Sequence, residues 1–184
     1  MAVQEHATTV KEFEAFIARP ENANRLFELV NGEIVQKVPT QEHGIIAGNI
    51  ITWLNMYLLD HPIGRAAVEA RHRAPDDQYN DRLPDVSFVA DMSRSVVREG
   101  AVPFIPDLAV EIKSPSDTLK EMSETATYYL THGAKMVWLV YPDKRLVEVL
   151  TPTERLLLTE DDTLTGGDVL PGFAVAVRDV FRGV

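Results

Sequence analysis

A mixed α/β or α+β fold around one central sheet is what this sequence predicts, and three stretches carry the prediction. Leu26–Val30 and Glu33–Val38 are short runs rich in strand-forming residues, separated by Asn31-Gly32, the pair that a two-residue hairpin turn asks for. Ile45, Ile46, Ile50, Trp53, Leu54, Tyr57 and Leu58 recur at helical spacing, and Pro62 and Gly64 close that run. Met136–Tyr141 is continuously apolar, as a strand covered on both faces requires. Helical and strand patterns therefore share one chain, the arrangement of a sheet flanked by helices.

The remaining elements follow in order. Thr9 and Glu12 have capping-box spacing ahead of Val10, Phe13, Phe16 and Ile17, so a short helix opens the chain and ends before Pro20. After the hairpin, the long helix runs from Thr40 to the neighbourhood of Pro62. Alternation predicts a strand from Arg65 to Pro75, then a polar loop over Asp76–Asp81 and a second strand from Pro84 to Ala90. Asp91–Pro106 reads as irregular, and Asp107–Lys113 as a strand stopped by Ser114-Pro115-Ser116. Thr118 and Glu121 repeat the capping-box spacing and start a helix that reaches His132 and ends at Gly133. Beyond Met136–Tyr141 and the Pro142-Asp143-Lys144 turn, Leu146–Leu150 and Arg155–Leu158 form an antiparallel C-terminal extension. A glycine-rich turn leads to a last short element through Phe173–Phe181. No repeat, low-complexity tract or linker interrupts the chain, so one domain over residues 1–184 is expected.

Composition narrows the function. With 45% apolar and 25% charged residues the chain has the make-up of a soluble globular protein, and no apolar run approaches the span of a bilayer. Met1–Thr9 lacks the apolar stretch of a signal peptide, so a cytoplasmic location is expected. The absence of cysteine removes thiolate metal sites, cysteine nucleophiles and disulfides, and leaves carboxylate and imidazole as metal ligands. A net charge of −10 opposes nonspecific binding to a polyanion, unless basic residues gather locally. Arg65, Arg71, His72, Arg73 and Arg82 are such a concentration in sequence.

The chemistry sits on two strands. Side chains alternate along a strand, so Leu108, Val110 and Ile112 share one face while Ala109, Glu111 and Lys113 share the other. Asp85 stands opposite Val86 and Phe88 in the preceding strand, and pairing of the two strands would bring two carboxylates and an ammonium to one spot. Hard divalent cations such as Mg²⁺ or Mn²⁺ take oxygen ligands from carboxylates, main-chain carbonyls and water. Asp85, Glu111 and the Ile112 carbonyl are the candidate metal ligands, with Lys113 placed to orient an attacking water and offset developing charge.

Pro84-Asp85 followed by Glu111-Ile112-Lys113 resembles the signature of the PD-(D/E)xK nuclease superfamily. The likeness tightens to the bacterial family of small restriction-endonuclease-like proteins catalogued as a domain of unknown function. It runs through Phe27-Glu28-Leu29-Val30-Asn31-Gly32-Glu33, then His43 at the start of the long helix, Arg82-Leu83-Pro84-Asp85-Val86, Val110-Glu111-Ile112-Lys113-Ser114-Pro115-Ser116, and Gly133 with Trp138-Leu139-Val140. The resemblance implies a restriction-endonuclease-like fold, metal-dependent cleavage of DNA and a homodimer. It adds Glu28 as a further acidic residue of the site. Two positions depart from the pattern: Thr125 stands where a lysine commonly precedes Tyr129 by one turn, and Tyr141 where an aspartate commonly follows Trp138-Leu139-Val140.

Other readings remain at this level. Glu33 reads as an exposed hairpin carboxylate, His43 as a residue of a helix's first turn with a role near the metal or the phosphate as its alternative, and Trp53, Trp138, Tyr128 and Tyr129 as core or dimer contacts. No nucleophile elbow, zinc-binding His-Glu-x-x-His helix or Walker loop occurs, and Gly166-Gly167 is a turn. The acidic charge keeps a rival in play, a non-catalytic oligomeric interaction or nucleic-acid-binding module with the same fold. Hydrolysis of RNA or another phosphodiester would use the same site.

Overall fold

The computed structural model describes residues 7–184, which gather into two compact units. The first comprises the chain up to Val38 with Arg71–Leu83 and Val97–Phe104; the second comprises Pro39–Ala70, Pro84–Val96 and Ile105–Val184.

In the first unit, helix α1 (Val10–Ile17) is capped by Thr9, whose hydroxyl accepts the Glu12 N–H while the Glu12 carboxylate accepts the Thr9 N–H at 2.8 Å. Strands β1 (Leu26–Val30) and β2 (Glu33–Lys37) pair antiparallel through the Asn31-Gly32 turn. Both turn residues take positive φ, 51° and 82°, as a turn matched to strand twist demands. Gly32 is required for a second reason: a Cβ there would lie 2.7 Å from Ala7 Cβ. Val10, Phe13, Phe27 and Leu29 form this unit's small core.

The second unit is built on a six-stranded sheet in the order β3 (Arg65–Val68), β4 (Val86–Val89), β5 (Leu108–Ile112), β6 (Met136–Tyr141), β7 (Leu146–Leu150) and β8 (Arg155–Leu158). Only β5 and β6 run parallel, and helix α3 (Leu119–Thr131) makes the crossover between them. Every residue of β5 and β6 is buried, which explains why their sequences are apolar almost throughout. Helix α2 (Gln41–Asp60) lays Ile46, Ile50 and Leu54 against Val86, Phe88, Leu108, Val110 and Ile112, together with Trp138 and Val140. On the opposite face, α3 sets Met122, Ala126 and Tyr129 against Ala109, Val137 and Leu139. The mixed sheet flanked by helices expected from the sequence is present.

Two expectations need correcting. The strand predicted from Arg65 to Pro75 stops at Val68, because Glu69 turns into the left-handed region at φ 49° and the chain then enters the first unit. The C-terminal stretch holds a hairpin, β9 (Thr163–Gly166) with β10 (Leu170–Ala176), before the short helix α4 (Val177–Val180). The N-terminal hairpin expected from the sequence and the C-terminal one are each a separate two-stranded sheet. Among the described residues no helix is long and apolar enough to cross a membrane.

Candidate metal centre

The strand pair β4–β5 is the foundation of the site. Val86 lies opposite Val110, and the Asp85 N–H extends the ladder by donating to the Val110 carbonyl at 3.0 Å. One step further in this register, Asp85 faces Glu111, and residues that face one another across an antiparallel pair project to the same side of the sheet. Lys113 follows two residues after Glu111 on that side, and its main-chain N–H donates to the Val140 carbonyl at 2.9 Å, so β6 anchors it. The register thus makes Asp85 a cross-strand neighbour of Glu111 at the end of the ladder, with Lys113 two residues further along the chain.

Each acidic group is fixed by specific donors. Asp85 is 4% exposed and its Oδ2 accepts the Ile112 N–H at 2.6 Å; the same oxygen lies 3.0 Å from His43 Nε2, on the first turn of α2. Glu111 is 7% exposed, and its Oε1 accepts the Tyr129 hydroxyl of α3 at 2.8 Å. The Lys113 ammonium is partly buried and donates to the Ser114 carbonyl at 3.2 Å. Beyond it, Ser114 N–H donates to Asp117 Oδ2 at 2.7 Å and shapes the loop that leads into α3. Ile112 has its side chain in the core and its N–H on Asp85.

Tyr129 is the contact that sequence reasoning missed, while His43 meets Asp85, in keeping with the alternative that stood beside its helix-start reading. His43 read as a helix-start residue, which it also is, since its N–H donates to the Thr40 hydroxyl at 3.2 Å. The available signal was position: His43 falls in line with Ile46, Ile50 and Leu54, so a polar ring was destined for the buried stripe. Tyr129 read as core, and it is fully buried, but a buried phenol needs a partner for its hydroxyl.

Another acid on the same sheet is a different kind of site. Glu148 is 3% exposed, yet Tyr141 donates its hydroxyl to Glu148 Oε2 at 3.0 Å and the Arg155 guanidinium pairs with Oε1. Burial, reinforced by Glu148, holds the Tyr141 phenol well above its ordinary value. Glu148 is therefore committed to a structural pair.

Glu28 stands on β1 of the first unit, where its Oε2 accepts the Leu83 N–H at 3.4 Å, two residues upstream of Asp85 in the chain. That unit also absorbs most of the basic residues noted in sequence. Arg71 and Arg73 both engage Asp81 and Glu14, His72 is 1% exposed with Nδ1 donating to the Phe104 carbonyl, and Arg82 is 4% exposed. In the second unit Arg65 donates to the carbonyls of Met92 and Arg94. These side chains have internal partners or are buried, which leaves little of this cluster to meet a polyanion.

The donor set fits a hard divalent cation. Two buried carboxylates from neighbouring strands supply anionic oxygen, and no thiolate or histidine cluster competes. Among the described residues no group of three or more His, Asp or Glu side chains is placed to hold a metal ion, so an ion here would draw on main-chain carbonyl and water oxygens as well.

A mixed sheet crossed by one parallel pair, with carboxylates where two central strands meet, defines a restriction-endonuclease-like protein. The crystal structure of a "putative nuclease belonging to DUF820" from Anabaena variabilis superimposes with a TM-score of 0.77 at 25% identity, covering 94% of this chain and 97% of that one. The model of the Uma2 family, described as "Putative restriction endonuclease", matches residues 10–178, and the chain belongs to that family. No curated protein is significantly similar to it.

Proposed function

We propose that this protein is a metal-dependent endonuclease that hydrolyses phosphodiester bonds of DNA, with Asp85, Glu111 and the Ile112 carbonyl holding Mg²⁺ or Mn²⁺. The observation that carries the reading is the placement of Asp85 and Glu111 in facing register at the end of the β4–β5 ladder, with Lys113 next on that face. When bound, the ion supplies Lewis acidity to a phosphoryl oxygen and acidity to a coordinated water. The protein's own contribution is positional. Ile112 N–H and Tyr129 hydroxyl hold the two carboxylates in place before any ligand arrives, and the Lys113 ammonium orients the attacking water and offsets negative charge as the transition state forms. Glu28 of β1, whose carboxylate accepts the Leu83 N–H, is the further acidic residue of this reading. A cytoplasmic homodimer completes the reading.

Calorimetric titration of Mn²⁺ into the wild type, Asp85→Asn and Glu111→Gln tests it. One binding event in the wild type, lost in both variants, is expected. Supercoiled plasmid then serves as substrate, with Lys113→Ala abolishing cleavage while Mn²⁺ still binds. The acidic net charge and the internal engagement of Arg71 and Arg73 favour the rival reading, a non-catalytic interaction module with this fold. A wild type without a Mn²⁺ site, but with sedimentation showing assembly, would decide for that rival.

A further inference from the structure

The buried stripe of α2 reads His43, Ile46, Ile50, Leu54. Three of these positions pack into the core between helix and sheet, and an apolar residue at the fourth would simply extend it. A histidine there brings polar nitrogens into a largely dry environment, where they require partners. His43 is 7% exposed, and its Nε2 lies 3.0 Å from Asp85 Oδ2. Thr40 fixes the helix start, because its hydroxyl accepts the His43 N–H. The imidazole is thus held at its backbone by a cap and at its tip by the carboxylate.

Ile112 N–H reaches the same oxygen at 2.6 Å. Two N–H donors that converge on Oδ2 from different elements, one on a strand and one on a helix, determine both the position and the plane of the carboxylate. Neither donor alone would do this, since a single hydrogen bond leaves rotation about the Cβ–Cγ bond.

We infer that His43 is a positioning residue for Asp85: its Nε2–H, acting with the Ile112 N–H, orients the carboxylate for divalent-cation binding without itself contacting the ion. The inference rests on the reading of Asp85 as a metal ligand given above. Groups that hold a ligand's orientation in this way commonly matter 10- to 100-fold in metal affinity.

The test compares Mn²⁺ affinity, by calorimetry on initially metal-free protein, among the wild type, Asp85→Asn, His43→Phe and His43→Gln. A glutamine can present an N–H where His43 Nε2 now lies, and a phenylalanine cannot. The expected result is Mn²⁺ affinity about 10- to 100-fold weaker in His43→Phe and restored to within a few-fold in His43→Gln. Should His43→Phe fail to fold, His43→Asn, whose amide is too short to reach Oδ2, replaces it. Two spectroscopic readouts are independent of affinity. In metal-free protein the His43 Nε2–H gives a slowly exchanging imidazole signal in ¹⁵N-edited NMR, absent in Asp85→Ala. In the Mn²⁺ complex, electron spin echo modulation shows no directly coordinated nitrogen. Wild-type affinity in His43→Phe overturns the inference and leaves Asp85 standing as a ligand. Equal losses in the Phe and Gln variants overturn it as well, since packing of the imidazole would then be what matters. A nitrogen coupling to Mn²⁺ replaces positioning with direct ligation. A wild type that binds no Mn²⁺ removes the reading of Asp85, and this inference with it.

Discussion

The two units each bury acidic side chains, and they hold them in opposite ways. In the first, Asp81 is fully buried and accepts from Arg71 at 2.9 Å and Arg73 at 2.5 Å, while Glu14 engages the same two guanidiniums. Burial pushes the Asp81 carboxyl up despite both arginines; at the more exposed Glu14 the arginines overcome burial and hold the carboxyl below its ordinary value. In the second unit, a peptide N–H and an imidazole hold Asp85, and a phenol holds Glu111. The first cluster is a network in which two acids and two guanidiniums balance each other. The second is an exercise in direction, where hydrogen bonds from an N–H, an imidazole and a hydroxyl orient carboxylates without a guanidinium among these contacts. An acid matched to arginine contributes to keeping a unit folded; one aimed by directional donors is suited to taking a cation.

The largest expected effect separates these roles. Asp81→Ala leaves the Arg71 and Arg73 guanidiniums with Glu14 as their remaining acid in this cluster, and loss of one partner from such a network costs about 3 kcal/mol. Urea unfolding of the purified variant checks this. Asp85→Asn keeps an acceptor for the Ile112 N–H, so its unfolding free energy should stay within about 1 kcal/mol of the wild type while Mn²⁺ binding is lost. The contrast breaks if Asp85→Asn proves as unstable as Asp81→Ala, which would make Asp85 a structural residue.

Acidification should reach the first unit in two stages. Burial holds the His72 imidazole below its ordinary value of 6.5, although its bond to the Phe104 carbonyl works the other way, and no partner among the described residues meets its Nε2. A histidine whose folded value is depressed takes up a proton more readily when unfolded. Stability present at neutral pH is therefore lost as pH falls below 6.5, by up to about 1.4 kcal/mol per pH unit. His72→Asn keeps a donor near the position of Nδ1 and cannot titrate, so its stability should be flat across that interval. Glu14 acts later: its depressed carboxyl contributes stability above the ordinary value of 4.5, and this fades as pH falls through the lower folded value. Unfolding midpoints measured from pH 7 to pH 3 for both proteins resolve the stages. Coincident curves would show that His72 does not govern the first.

Sequence periodicity revealed the elements whose burial is one-sided or total. Capping boxes at Thr9 and Thr118, the Asn31-Gly32 hairpin and the apolar run of β6 all act through residues close in the chain, and all are present. The alternation of β5 also separated Glu111, which meets Tyr129 of α3, from Leu108, Val110 and Ile112, which pack with α2. What sequence could not reveal depends on contacts between distant segments. Glu69 ends β3 because its backbone turns left-handed, with its N–H directed to the Asp85 carbonyl at 3.2 Å, and nothing in the local composition announces that. The basic run near Arg71 suggested a surface for a polyanion, yet its charges are matched by Glu14 from a helix far upstream and by Asp81. His43 and Tyr129 reach the carboxylates from helices on opposite faces of the sheet, a relation visible only once the sheet is formed.

The smallest expected effect probes the directional side of the contrast. Tyr129→Phe preserves a ring that packs among Met122, Ala126 and Leu139 and removes only the hydroxyl that donates to Glu111 Oε1. The loss of one hydrogen bond to a carboxylate should lower unfolding free energy by about 1 to 2 kcal/mol, less than the loss of Asp81. Because Glu111 would then lose a donor that orients it, Mn²⁺ affinity should fall by about tenfold, the lower end expected for a group that orients a ligand. A stability loss with unchanged Mn²⁺ affinity would make the phenol a packing contact. A tenfold affinity loss with almost no change in stability would make it the purest directional contact in the protein, the reverse of the Asp81 network, where stability is expected to move first.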